Sequence, residues 1–263
     1  MTASASKIFR KLAFARRSSR RFQPDRKIPT PILKDILEST LRTPSGFNLQ
    51  PTHVMMVQCP EIKTMLADRA MLGAGNQYRV KDSSVVAVFL ADLEVHKRID
   101  RIYELEQGCR DPNYLATFPI ASSFLMGEGH AATLLKQIST DIMSEIQPMP
   151  SVEPVQAWSY KNAGLVAQQY TLAATSHDLA TCMMEGYDVR RAKDVLRVPD
   201  RYGIPIMVAT GYEYEDPSTF LTTPRLEMDE VVFGDTFGSP LRLSDNEEGE
   251  QTVEDVPEVA TAS

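Results

Sequence analysis

Apolar positions in this chain follow two patterns, helical stripes and short unbroken runs. Ile8, Leu12 and Ala15 recur at helical spacing with Phe9 and Phe14 beside them, which predicts a first helix. From Pro29 to Leu41, Pro31 occupies a favourable first-turn position, and Ile32, Leu33, Ile36 and Leu37 make one apolar stripe. A turn at Thr43-Pro44-Ser45-Gly46 ends that helix. Val54 to Val57 reads as a short strand and Glu61 to Ala70 as a helix. Ser84 to Ala91 is a continuous, β-branched run, the pattern of a strand buried on both faces. Residues 94–157, mixed in character and containing Met and Pro, read as an inserted helical excursion. Trp158 to Thr175 predicts a long, nearly uniformly apolar helix, and apolarity all round means burial. Gly203 to Gly211 reads as a second central strand. No internal repeat is present, and the pattern predicts one α+β domain over residues 1–244.

Composition narrows the class. The chain has 263 residues, 43% hydrophobic and 24% charged, enough to build a core without covalent staples. Cys59, Cys109 and Cys182 are odd in number and lack C-x-x-C spacing, which argues for reduced thiols rather than a disulfide framework. No apolar run approaches the roughly 18 residues of a membrane span, so a cytoplasmic protein without a membrane partner is expected. The net charge of −7 is local: residues 245–263 hold seven acidic groups and no basic one, and the remainder sums to zero. That tail is poor in large apolar residues and reads as disordered.

Residues 7–27 instead hold nine Lys or Arg and a single acid. Such an arm resembles a transit peptide or a nucleic-acid patch. The helical stripe through Ile8 and Leu12 favours a packed helix over both, and no nucleic-acid partner is expected. His53, His96, His130 and His177 are scattered and make no metal motif. No G-x-S-x-G elbow occurs, and Gly73-Ala74-Gly75 lacks the Rossmann continuation. No metal ligand and no catalytic side chain are therefore assigned.

Four segments carry a more specific signal. Arg16-Arg17-Ser18-Ser19-Arg20-Arg21-Phe22 is followed by Pro44-Ser45-Gly46-Phe47-Asn48-Leu49-Gln50-Pro51. Later come Thr181-Cys182-Met183-Met184-Glu185-Gly186-Tyr187-Asp188 and Thr223-Pro224-Arg225. Read singly, these are a solvated basic helix end, a common turn, a glycine turn and a loop arginine. In this order and spacing they resemble the signatures of the nitroreductase-like FMN enzymes, over roughly residues 7 to 240. The resemblance implies an α+β fold with a central mixed or antiparallel sheet flanked by helices. It also implies an intertwined homodimer with flavin between the subunits, its core built by the Trp158–Thr175 helix.

Residue by residue, the resemblance implies that Arg16 and Ser18 contact the FMN phosphate and ribityl chain, with Arg17 beside them. Arginine's planar fork suits phosphate oxygens. Arg20 takes the place of a cation near the pyrimidine edge, where it would stabilise the charge of the reduced ring. Arg225 would return to the phosphate. Pro44, Ser45, Gly46 and Asn48 would form a turn delivered from the other subunit, with Gly46 allowing close backbone approach. Asn76, by itself a loop asparagine, matches an asparagine at the pyrimidine edge. Met184, Glu185 and Gly186 would act through backbone, the Gly186 amide donating to flavin N5 and its missing side chain sparing the ring. Two positions depart from the family pattern: Met183 replaces a proline, and His177-Asp178 replaces a helix-ending glycine.

The activity implied is an FMN-dependent NAD(P)H oxidoreductase. NADH or NADPH would deliver hydride to flavin N5 and leave. A flat nitroaromatic, quinone or similar acceptor would then be reduced in the same slot, in a ping-pong cycle. Residues 94–157 would shape that slot, with Phe118, Phe124 and Met126 as candidate lids. Two alternatives remain open: a dehalogenase-like or flavin-processing relative of the same fold, and a non-catalytic FMN-binding or storage protein.

Overall fold

Four strands form one antiparallel sheet in the order β1-β2-β6-β5. They are β1 (Thr52–Val57), β2 (Val85–Asp92), β5 (Ala180–Met184) and β6 (Tyr202–Gly211). A minor parallel pair joins β3 (Met126–Gly127) to β4 (Glu153–Pro154). This computed structural model describes residues 4–214 and 223–241. The chain divides into two units, Met1–Ser218 and Thr219–Ser263, a boundary inside the 1–244 span read as one domain. The acidic tail 245–263 lies outside the described residues.

Helices cover both faces of the sheet, and β2 shows why its sequence has no polar alternation. Val86, Val88 and Leu90 pack on one face against Leu66 of α3 (Pro60–Arg69), Val80 of α4 (Gly73–Asp82) and Leu196 of α9 (Val189–Leu196). Val85, Ala87 and Phe89 turn to the other face, against Ile36 of α2 (Thr30–Thr40) and Ala167 and Tyr170 of α8 (Val155–Ser176). A strand sandwiched this way buries every side chain. β6 is equally central yet contains Pro205. The proline falls where the β2–β6 register shifts between Phe89 and Ala91, so its missing N–H interrupts no regular rung.

α8 is not apolar all round. It buries Trp158, Ser159, Asn162, Ala163, Ala167, Tyr170, Thr171 and Ala174 on one face, while Leu165 stays half exposed on the other. α4 and α9 are additions to the sequence expectation. Asn76 thus lies on a helix, not in a loop: Gly73 and Gly75 punctuate α4 like a turn, and only Val80 of its ten residues is buried. α1 (Ala5–Ala15) forms as expected but buries no residue.

The excursion after β2 folds into α5 (Ile99–Glu106), α6 (Pro112–Leu125) and α7 (His130–Ser144). Phe118 and Met126 are buried with Leu49, Ile102 and Trp158, so these two are core residues of the excursion rather than lids. At its root, the carboxylate of Asp92 is fully buried. It accepts from Arg201 at 2.7 and 2.6 Å, from Arg98 at 3.0 Å and from the Glu94 amide at 3.0 Å. Burial alone would raise its pKa, but these donors outweigh that and hold it at about 2. The second unit contributes a short α10 (Met228–Val231), closed by a Glu227–Glu230 capping box. Among the described residues no helix is long and apolar enough to cross a membrane.

Candidate functional site

Beyond α1 the chain runs extended along the end of the sheet. Ser18 bridges Thr181 of β5, the Ser19 amide donates to Thr181 O at 2.8 Å, and Phe22 bridges Glu213. Extended backbone alternates its side chains, and this sorts the basic motif into two faces. Arg17 and Ser19 turn towards Glu213, donating to Oε2 at 3.0 and 2.6 Å. Arg16, Ser18 and Arg20 fall on the opposite face, where none has a side-chain partner among the described residues. Two arginines and a hydroxyl without internal partners form a donor set suited to a dianionic phosphate. Arg17 is committed to the carboxylate on the other side.

At the far end of β5 lies a second cluster. Met184 is buried and Glu185 exposed. The Leu72 amide donates to Gly186 O at 2.9 Å, and Asn76 Nδ2 donates to Leu72 O at 3.0 Å and Gly186 O at 3.3 Å. Arg79, one turn along α4, donates to Asn76 Oδ1 at 2.8 Å, and its Nε is buried without a partner. A Cβ on Gly186 would lie 2.5 Å from Asn76 Nδ2, so within this chain it is the asparagine that demands glycine here. The Gly186 amide donates to no backbone carbonyl among the described residues. From Thr181 to Gly186 is about 16 Å of strand, with free cations at one end and an unused amide at the other. Both ends therefore fit an elongated phosphate-bearing cofactor with a hydrogen-bonding ring. Burial raises the Cys182 thiol above its ordinary range, against the pull of Arg79, so it stays a thiol.

The third cluster is the Pro44–Pro51 turn. Phe47, Asn48 and Gln50 all adopt left-handed backbone, with φ of 52°, 53° and 46°. Ser45 Oγ accepts from the Gln50 amide at 2.9 Å, and Asn162 Oδ1 accepts from the Gly46 amide at 3.2 Å. A Cβ on Gly46 would stand 2.9 Å from the Trp158 ring, so its close neighbour in this chain is that indole. Pro44 is exposed.

Register places this turn far from the basic arm. It leads into Thr52, which pairs through Ala91 to Gly203, whereas Ser18 pairs through Thr181 to Thr210. Seven residues along β6 and four strand spacings separate the two, about 30 Å across the diagonal of the sheet. Within one chain the two segments therefore lie near opposite corners of the sheet. Arg225 belongs to the second unit, where its guanidinium donates to the carbonyls of Thr223 at 3.3 Å and Pro224 at 2.9 Å. A cavity of about 1170 Å³ lined by Met55, Ile62, Met65, Val195 and Leu196 holds none of the motif residues.

Sequence reasoning missed Arg79, Glu213, Glu106 and Asn162. Only Arg79 had a local signal, standing three residues from Asn76 at helical spacing. The others act on residues 58 to 196 positions away.

Known proteins resemble most of this chain. A "NADH dehydrogenase" of Thermus thermophilus is 29% identical over 220 residues, 84% of this chain and 92% of that protein. A nitroreductase family protein of Streptococcus pneumoniae superposes with a TM-score of 0.64 at 21% identity, covering 86% of this chain and 99% of its own. A protein of Exiguobacterium sibiricum solved in complex with FMN gives 0.62 at 21% identity, covering 88% and 98%. The nitroreductase family profile matches residues 13–212, a span that takes in the basic arm, the left-handed turn and the β5 end alike. The chain belongs to the nitroreductase family.

Proposed function

We propose that the protein is an FMN-dependent NAD(P)H oxidoreductase acting, as a homodimer, on flat acceptors such as nitroaromatics and quinones. One observation carries the reading: β5 is flanked by Arg16, Ser18 and Arg20 at one end and by the Gly186 amide at the other. Arg16 and Ser18 would hold the phosphate, and Arg20 would supply a cation towards the ring. Gly186 would donate its amide to the ring, with Asn76 and Arg79 behind it. When bound, FMN supplies the hydride-accepting and hydride-donating chemistry. The chain's own part is to fix the ring and to keep positive charge near it. Its diagonal separation from the arm suits the Ser45–Asn48 turn to a flavin held by a second copy.

The test begins with the purified protein. Yellow colour, release of FMN on denaturation, and oxidation of NADH or NADPH with menadione or a nitrofuran are expected. A colourless protein that FMN cannot reconstitute would end the proposal. Flavin binding without turnover would leave a binding protein in its place.

A further inference from the structure

We propose that Glu106 is a positioning residue for Asn48, setting which hydrogen-bonding group the left-handed turn offers; this rests on the reading that the turn faces flavin. Glu106, at the end of α5, is only 3% exposed. Its Oε1 accepts from Asn48 Nδ2 at 3.0 Å. Among the described residues the only other donor to that oxygen is Arg110, at 3.4 Å through both Nε and Nη2. Its Oε2 is buried and has no partner among the described residues.

A buried carboxylate served this sparsely is a poor stabiliser of the fold, since an apolar side chain of similar volume would avoid its desolvation cost. The turn it grips is strained, with three non-glycine residues in left-handed backbone within four positions. Strain of this kind persists only where surrounding contacts over-determine it. Here they come from three directions: Asn162 on the Gly46 amide, Arg98 on Gln50 O at 2.7 Å, and Glu106 on the Asn48 side chain. Only the Glu106 contact touches a side chain of the turn, and it fixes that side chain's sense. With Nδ2 given to the carboxylate, Asn48 turns its carbonyl Oδ1 the other way, where it accepts from Gln50 Nε2 at 3.3 Å and keeps its second lone pair. The turn therefore presents an acceptor, matched to an N–H or O–H on whatever rests against it. Loss of Glu106 frees the amide to flip and present a donor instead.

The experiment compares Glu106→Met, Glu106→Gln and Asn48→Ala with the wild type, reading thermal midpoint and FMN dissociation constant. Glu106→Met should match or exceed the wild-type midpoint while weakening FMN binding up to about tenfold, the loss expected for one neutral hydrogen bond. Glu106→Gln, which keeps an acceptor for Asn48, should restore affinity to within about twofold of wild type. Adding Asn48→Ala to Glu106→Met should cost nothing further, because both remove the same contact. Unchanged affinity in Glu106→Met, additive losses in the double variant, or an unfolded Glu106→Met protein would each overturn the proposal. The last result would mean that the carboxylate serves the fold. A wild type that binds no FMN is a separate outcome, which would fell the flavin reading itself and the proposal with it.

Discussion

Glu213 accepts hydrogen bonds from Arg17 at 3.0 Å and from Ser19, on the face of the arm opposite Arg16 and Arg20. This contact locks the alternation that turns the other three polar side chains outward. Glu213→Ala should lower stability by about 1–2 kcal/mol, the value of a hydrogen bond to a partly buried charge, and should also weaken FMN binding. Simple repulsion between carboxylate and phosphate would give the opposite sign. Tighter binding in Glu213→Ala, read by flavin fluorescence, would therefore remove the tethering role.

Gly186→Ala should displace the Asn76 amide, because the new Cβ would meet Nδ2 at 2.5 Å. Both hydrogen bonds of that amide, to Leu72 O and Gly186 O, would go with it. The substitution should cost about 1–3 kcal/mol, and much less in an Asn76→Ala background, where the space is vacant. Equal losses in the two backgrounds, by chemical denaturation, would place the clash elsewhere.

Asp92 makes stability depend on acid. Its folded pKa of about 2 lies below the ordinary 3.8, so the folded state binds its proton less readily than the unfolded state. The sign follows: the contribution is complete above about pH 4 and is lost as pH falls through 2. It amounts to about 2 kcal/mol from a shift of nearly two units. Asp92→Asn should lose that amount at neutral pH and show a flatter stability curve between pH 4 and 2. Parallel curves for the two proteins would contradict the assignment.

The proposed dimer predicts complementation. Arg16→Glu disables the arm, and Ser45→Trp blocks the turn. A mixed dimer would regain one intact site from two inactive parents, since both lesions fall together in the other site. Subunit exchange confirmed by mass, with no recovery of NAD(P)H oxidation, would exclude a shared site.

Much of the fold was legible in the sequence because burial there is local and repetitive. β2 and β6 announce themselves as unbroken apolar runs, and α2 by Pro31 and its stripe. α4 was not legible: two glycines, several charges and a single buried residue give no periodicity to detect. α8 was read as apolar all round although it hides Ser159, Asn162 and Thr171 and exposes Leu165. Of the candidate site, the motif residues could be named, but their directions could not. That Arg17 faces inward depends on Glu213, and that Asn48 is gripped depends on Glu106. Such partners meet only once the chain has folded, and no local pattern records them.

α1 buries none of its eleven residues, while Ile8, Phe9 and Phe14 stand 50%, 60% and 77% exposed. A helix of that length is marginal in water on its own, so little beyond its contact with α8 keeps it wound. Its amides should exchange with solvent sooner than those of β2 or β6, through local opening rather than global unfolding. Arg16 caps its C-terminus, which puts the first cation of the proposed phosphate set at the end of a weakly anchored segment. Under the proposed function, phosphate capture there would be coupled to a small folding event. Its rate should follow the winding of α1 rather than diffusion alone.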